Sequence, residues 1–287
     1  MSRVAYVNGI YESIRQASVN IQDRGYQFAD GVYEVCLVVN DAWWDRDGHI
    51  ARLWRSLGTL SISPPMSERA LQVVMSKVVR KNRLKNALVY LQITRGVASR
   101  NHPFPNDVPP SLVITARNYD FDKADIAARK GVSVITLDDT RWARVDIKSI
   151  SLLPNVLAKQ AAHAENAAEA MLIKNGVVTE GSSSNMWIVD DNGALITHPK
   201  SNDILGGITR ETAILCAEAL QIKVIERPFT VEEALQAREA FLTSATTLVT
   251  PIIKINSKKI ADGESGDLTL RLRDAYIALN EREARKF

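Results

Sequence analysis

The hydrophobic pattern along the chain alternates between a period of two and a period near four, with turn residues separating the blocks. Residues 4–7 and 10–13 flank Asn8-Gly9, a strong hairpin signal, and residues 32–39 and 42–45 flank Asn40-Asp41 in the same way. Helical spacing follows at 49–60 and 68–82, the second with Ser67 placed as its N-cap. Two runs of β-formers, 88–94 and 112–116, bracket residues 95–110, which are too rich in proline and glycine for regular structure.

The second half continues the alternation. It predicts a strand at 132–137, helices at 155–166, 210–220, 231–236 and 268–279, and strands at 170–174, 186–189, 194–197, 223–226, 240–243 and 252–255. Asp191-Asn192-Gly193 joins two of these strands as a hairpin. Residues 118–125 are polar and aperiodic, which predicts a linker between a small N-terminal α/β domain, 1–117, and a larger C-terminal α/β domain, 126–287, carrying Lys148. The expected fold class is α+β (mixed α/β) in two domains, without internal repeats.

Composition narrows the function classes. With 46% hydrophobic and 24% charged residues, the 287-residue chain has the make-up of an ordinary soluble globular protein. The net charge of +3 is small and dispersed, and no long basic run occurs, so no nucleic-acid partner is expected. No apolar run approaches membrane-spanning length, and the N-terminus reaches Asn8-Gly9 too soon for a signal-peptide core. A cytoplasmic protein with no membrane partner is therefore expected, with Cys36 and Cys216 as reduced core residues. The four histidines are scattered and metal-ligand spacings are absent, so no metal is expected.

Two motifs stand out against this background. Lys148 lies between Ile147 and Ile150, and desolvation there would disfavour its ammonium form. A neutral amine is a nucleophile that forms Schiff bases with aldehydes. Downstream, Thr179-Glu180-Gly181-Ser182-Ser183-Ser184-Asn185 offers a carboxylate able to hold a ring nitrogen protonated, and a run of hydroxyls. An anchoring amine, a carboxylate for a pyridinium and surrounding polar groups are what proteins contribute to pyridoxal phosphate chemistry. Taken singly, the two motifs also read as a solvated lysine and a serine-rich turn.

Such a cofactor needs an anion pocket as well. Gly206-Gly207-Ile208-Thr209 immediately precedes a predicted helix, where free N–H groups and the helix dipole favour negative charge; a flexible loop before a capped helix has the same pattern. The spacing matches neither a dinucleotide fingerprint nor a P-loop. Thr243-Ser244-Ala245-Thr246-Thr247 is a second hydroxyl cluster, at a strand end. Arg100-Asn101-His102 is either a carboxylate clamp or a solvated basic pair. Tyr33 on a strand and Arg52 on a helix read by themselves as a packing tyrosine and a surface arginine.

The order of these pieces, from residues 23–34 through Thr94-Arg95-Gly96, Arg100-Asn101-His102, residues 141–148 and residues 179–185, resembles the fold-type IV pyridoxal phosphate enzymes over nearly the whole chain. Within that family the resemblance is nearest to the bacterial D-amino acid aminotransferases. It implies a two-domain architecture with the cofactor between the domains, a homodimer, and transamination between a D-amino acid of the D-alanine type and a 2-oxo acid such as 2-oxoglutarate or pyruvate. Lys148 then resembles the Schiff-base lysine, which also serves as the general base, and Glu180 the partner of the ring nitrogen. Arg52, the backbone at Ile208 and Thr209, and Ser244, Ala245 and Thr246 look like the phosphate cup. Ser183 and Ser184 would lie beside the ring and Leu205 beneath it. Tyr33, Arg100 and His102 look like the trap for the substrate carboxylate, the last two reaching in from a partner subunit. Arg141 and Ser182 complete the substrate side. Ala245 lacks the hydroxyl common at its position, so any phosphate contact there must use its N–H.

Three other readings share parts of this pattern. A branched-chain L-amino acid aminotransferase would carry a different cluster after the glutamate and a tyrosine soon after the lysine, where Ile150, Leu152 and Leu153 stand here. An aminodeoxychorismate lyase fits better without the Arg100 and His102 pair. A non-catalytic ligand-binding homologue would have lost Lys148, Glu180 or Arg52.

Overall fold

The computed structural model describes residues 3–286; Met1, Ser2 and Phe287 lie outside the described residues. The chain forms two compact units. The first holds the residues up to Phe121, the short segment Ile147–Ser151 and the C-terminal residues from Ala284; the second holds Asp122–Asp146 and Leu152–Glu283. Lys148 therefore clusters with the N-terminal unit rather than with the C-terminal one in which it was expected. Nor is 118–125 an irregular linker throughout, because a helix already starts at Phe121.

The first unit contains β1 (Val4–Val7), β2 (Ile10–Ser13), α1 (Arg24–Phe28), β3 (Gly31–Val39), β4 (Ala42–Trp44), α2 (Arg46–Thr59), α3 (Glu68–Asn82), β5 (Ala87–Thr94) and β6 (Ser111–Asn118). Both expected hairpins form. Asn8 and Gly9 take φ of 45° and 102°, and Asn40 and Asp41 take 51° and 63°, left-handed values that suit two-residue turns. β3 and β5 pair antiparallel from Gly31 opposite Thr94 to Val38 opposite Ala87, and β6 extends the sheet toward β1 and β2. At the opposite edge, the backbone of Arg285–Lys286 pairs with β4. Ile50, Leu53 and Leu57 of α2, with Leu71, Met75, Val78 and Val79 of α3, close over Val32, Cys36, Val38, Val89, Leu91 and Ile93 to make the core. Ser67 caps α3 through Ala70 N at 3.3 Å, as its position predicts.

The start of β3 also receives the segment carrying Lys148 along the edge that does not pair with β5. Tyr33 N donates to Lys148 O at 3.0 Å and Ile150 N to Gly31 O at 3.1 Å. Gly31 permits that approach, since a Cβ there would lie 2.6 Å from Ile93 O, 3.0 Å from Thr94 Cα and 3.1 Å from Ile150 Cδ1.

The second unit adds α4 (Phe121–Arg129), β7 (Val132–Asp138), α5 (Leu153–Ala164), β8 (Glu169–Lys174), β9 (Val177–Gly181), β10 (Asn185–Val189), β11 (Leu195–Thr197), α6 (Ile208–Ala219), β12 (Val224–Glu226), α7 (Val231–Gln236), β13 (Glu239–Ser244), β14 (Leu248–Ile255), β15 (Lys258–Lys259) and α8 (Asp267–Glu283). Its sheet runs β12-β11-β10-β13-β14-β7-β8-β9, with β15 beside β14. The pairs β11–β12, β14–β7 and β7–β8 are parallel and the remainder antiparallel, so the class is mixed α/β as expected. Trp187 and Phe241 stack across β10 and β13 at 5.3 Å. Cys36 and Cys216 are both buried and neither forms a disulfide; burial, with the negative charge of Glu34 beside it, pushes the Cys36 thiol up and keeps it protonated. Among the described residues no helix is long and apolar enough to cross a membrane.

Gly31→Ala is expected to destabilise the protein by about 1–3 kcal/mol, because backbone atoms of β5 cannot yield to a new methyl group. Chemical denaturation checks the loss, and proteolytic sensitivity rising around 147–151 checks its location.

Candidate functional site

In the first unit the expected residues gather around β3. Alternation along the strand sends Val32, Glu34, Cys36 and Val38 toward the helices and Tyr33 to the opposite face. Glu34 is thus a carboxylate in an apolar layer, and α2 answers it. His49 and Arg52, at i and i+3, share the inward face of that helix. Arg52 Nε donates to Glu34 Oε1 at 2.7 Å, Arg52 Nη2 to Oε2 at 2.7 Å, and His49 Nδ1 lies 2.8 Å from Oε2. Arg52 is only 7% exposed, so it is a buried, oriented guanidinium and not the surface arginine its helix position suggests. Burial raises the Glu34 carboxyl, but the charge and hydrogen bonds of Arg52, and the His49 contact, outweigh it and hold the group far below the carboxylate range.

Lys148 is half-buried, and its Nζ lies 4.2 Å from the centroid of the Tyr33 ring. Ile147 enters the core and holds the segment in place. Arg100 and His102 are exposed on their loop and both border Phe28, Arg100 at 4.6 Å and His102 at 5.4 Å from its ring centroid.

The second unit is built around Glu180, near the end of β9 and 4% exposed. Its Oε1 accepts from Arg141 Nη1; its Oε2 accepts from Asn185 Nδ2 at 2.9 Å and from Leu205 N at 3.0 Å. Arg141 is fixed in turn by Asp139, with Nε to Oδ1 at 2.8 Å and Nη2 to Oδ2 at 2.7 Å. Burial would release the Arg141 proton, yet the Asp139 hydrogen bonds and the Glu180 charge overcome it and push the group up. Asp139 is held low although burial raises it, chiefly because Arg141 donates to it.

Asn185 also donates to Leu205 O at 2.9 Å, tying the carboxylate to the turn that opens α6. α6 has Gly207 at its N-cap and no side-chain cap, and a Cβ on Gly207 would collide with Asn185 Oδ1. Ile208 and Thr209 therefore start a helix whose first-turn N–H groups have no capping side chain. On the β13–β14 turn, Ser244 Oγ meets Thr247 Oγ1 at 2.9 Å and Thr246 Oγ1 at 3.3 Å, with Ala245 between them. Buried Arg273 holds this turn from α8 through Thr247 O at 2.8 Å and Val249 O at 2.6 Å.

The hydroxyls of Ser182, Ser183 and Ser184 all donate to Glu169, Ser183 at 2.8 Å and Ser184 at 3.2 Å, and so solvate a buried carboxylate. Glu169 is 3% exposed and must find such donors. Glu34, His49, Asp139, Glu169, Asn185 and Arg273 are absent from the sequence-based set. A signal existed for the first two, since Glu34 interrupts an inward apolar stripe and His49 precedes Arg52 by three. Asp139 reaches Arg141 within two residues, but Glu169 meets the serines only through the pairing of β8 with β9 and leaves no local mark.

Comparison with known proteins defines the class. Residues 31–255 match the class IV amino-transferase family, to which the chain belongs. A D-alanine aminotransferase of Listeria monocytogenes is 41% identical over 94% of both chains. One from Bacillus licheniformis is 40% identical over 93% of this chain and 94% of its own. Among solved structures, a T.th. branched-chain amino acid aminotransferase with pyridoxamine 5'-phosphate superposes with a TM-score of 0.90 at 25% identity, covering 99% of this chain and 96% of its own.

The Glu34 carboxyl titrates lower in the folded chain than in the unfolded one, so its contribution is complete above about pH 5 and is lost as pH falls through the folded value. Glu34→Gln, which leaves the Arg52 charge buried and half-satisfied, is expected to lose about 3–5 kcal/mol at neutral pH. Denaturation midpoints across acid pH should show a shallower decline for the variant than for the parent.

Proposed function

We propose that this protein is a pyridoxal phosphate-dependent aminotransferase that passes an amino group between a D-amino acid of the D-alanine type and a 2-oxo acid. Identity of about 40% to D-alanine aminotransferases across almost the full length of both chains carries this reading. The donor sets fit the cofactor's chemistry: a half-buried amine for an aldehyde, a buried carboxylate for a protonated ring nitrogen, and an uncapped helix start with clustered hydroxyls for a phosphate.

When bound, pyridoxal phosphate supplies an aldehyde carbon and an electron-withdrawing ring. Lys148 Nζ is the proposed anchoring amine and would also serve as the base that moves the Cα proton. Glu180, oriented by Arg141, Asn185 and the Leu205 N–H, would keep the ring nitrogen protonated, and Leu205 would help line the cofactor site. Arg52, the N–H groups of Ile208 and Thr209, Ser244, Thr246 and the Ala245 N–H are the proposed phosphate ligands. Tyr33, Arg100 and His102 take the substrate carboxylate, and the side on which they hold it decides whether hydrogen or side chain faces Lys148. Ser182, Ser183 and Ser184, bound to Glu169, act in this reading as the wall that orients the strand end after Glu180.

We also infer a homodimer in the cytoplasm. Arg100 and His102 are exposed on their own loop, and Leu153, Val156 and Leu157 form an exposed apolar stripe along α5 at 69%, 57% and 62% exposure. Two buried cysteines outside any disulfide suit a reducing compartment. The likeness to a branched-chain aminotransferase structure supports the second reading, an L-amino acid enzyme of the same family.

Borohydride treatment of the yellow holoenzyme is expected to fix the cofactor on Lys148; a label on any other lysine rejects the anchor. With 2-oxoglutarate as acceptor, D-alanine should be turned over in strong preference to L-valine. The reverse preference replaces the first reading by the second. Full activity in a monomer at high dilution would remove the dimer.

A further inference from the structure

Residues 95–110 contain no helix, and their shape is held by buried charges at the loop's first residue and outside it. Asp30 lies between two arginines, both nearly enclosed. Arg24 Nε donates to Asp30 Oδ2 at 2.8 Å; Arg95 Nε donates to the same oxygen at 2.8 Å and Arg95 Nη2 to Oδ1 at 3.0 Å. Each guanidinium has further N–H groups, and these go to backbone carbonyls. Arg24 donates from Nη1 to Asn101 O at 2.6 Å and from Nη2 to His102 O at 3.1 Å. Arg95 donates to Ser61 O at 3.0 Å and Leu60 O at 2.8 Å, beyond the end of α2.

Aromatic contacts complete the cluster. Phe28 borders Arg24 at 4.8 Å as well as Arg100 and His102, and Phe104 lies 3.5 Å from the Arg95 guanidinium. The loop start is pinned separately, since Arg24 N donates to Gly96 O at 2.9 Å and Ala98 N to Gln22 O at 3.3 Å. Burial raises the Asp30 carboxyl, but hydrogen bonds from Arg95 and Arg24 outweigh it and keep the carboxylate charged.

We propose that Asp30, Arg24 and Arg95 are positioning residues that hold the loop carrying Arg100 and His102 in the shape that receives a substrate carboxylate. The inference rests on the reading of Arg100 and His102 given above. Its physical content is preorganisation: side chains on an irregular loop bind weakly if the loop must first be ordered, and two carbonyls held by one planar guanidinium remove that step.

Arg24→Lys is the discriminating variant. Lysine preserves a positive charge for Asp30 but has no fork to span Asn101 O and His102 O. In the full-length holoenzyme, KM for D-alanine is expected to rise roughly tenfold while kcat stays within about twofold. In the same protein without cofactor, amide exchange of residues 99–104 should accelerate while that of β5 does not change. Asp30→Asn should move both readouts further in the same direction; if it fails to fold, Arg24→Lys decides alone. Unchanged exchange at 99–104 overturns the clamp. Faster exchange with an unchanged KM overturns its link to the carboxylate. If the parent protein does not turn over D-alanine, the functional reading has failed, and the exchange result still judges the clamp.

Discussion

The buried charged groups at the candidate site each need a partner, and that requirement organises both units. An unpaired charge removed from water costs several kcal/mol, so a functional ion in a protein interior comes with its counter-ion and its donors. Glu34 holds Arg52 with His49 alongside; Glu180 holds Arg141 with Asp139 behind it; Asp30 holds Arg24 and Arg95. Glu169 has no guanidinium partner and is satisfied by three hydroxyls, the Ala170 N–H and the Lys159 ammonium at 3.4 Å.

These pairs turn chemical identity into geometry. A guanidinium bound through two nitrogens to one carboxylate has a fixed plane, so its remaining N–H groups point in a defined direction. Arg52 is oriented from a strand and a helix, elements with little freedom to shift. Lys148 lies on an irregular segment, yet its backbone is fastened to β3 on both sides, through Lys148 O and Ile150 N. The amine proposed as the cofactor anchor therefore gains the rigidity of a strand without being part of one, which suits that proposed role.

Much of the architecture was legible along the chain. The two hairpins at Asn8-Gly9 and Asn40-Asp41, the Ser67 cap and α7 fall where local patterns place them, because turn chemistry and helix periodicity are properties of a few adjacent residues. α1 and α4 escaped: one has only five residues, and the other begins inside the polar stretch 118–125, which reads as a linker. β9 was missed because Thr179-Glu180-Gly181 reads as a turn, and only pairing with β8 makes it a strand. At the site, Lys148, Glu180 and the 206–209 turn were visible as motifs. That Arg141 would be the partner of Glu180 was not, since the two stand 39 residues apart and nothing local to either position marks the contact.

By itself, the sequence determined which chemistries were available: one amine among apolar neighbours, a carboxylate followed by serines, glycines before a helix, and an arginine-histidine pair on a loop. Those follow from residue type and short spacing, which a linear chain displays directly. Tertiary structure alone decided which groups were committed elsewhere and which were aimed. It assigned the serine hydroxyls to Glu169, buried Arg52 against Glu34, and placed Lys148 beside Tyr33 in the N-terminal unit. The reason is that desolvation and ion pairing depend on neighbours in space, and sheet pairing brings together residues that the chain keeps far apart.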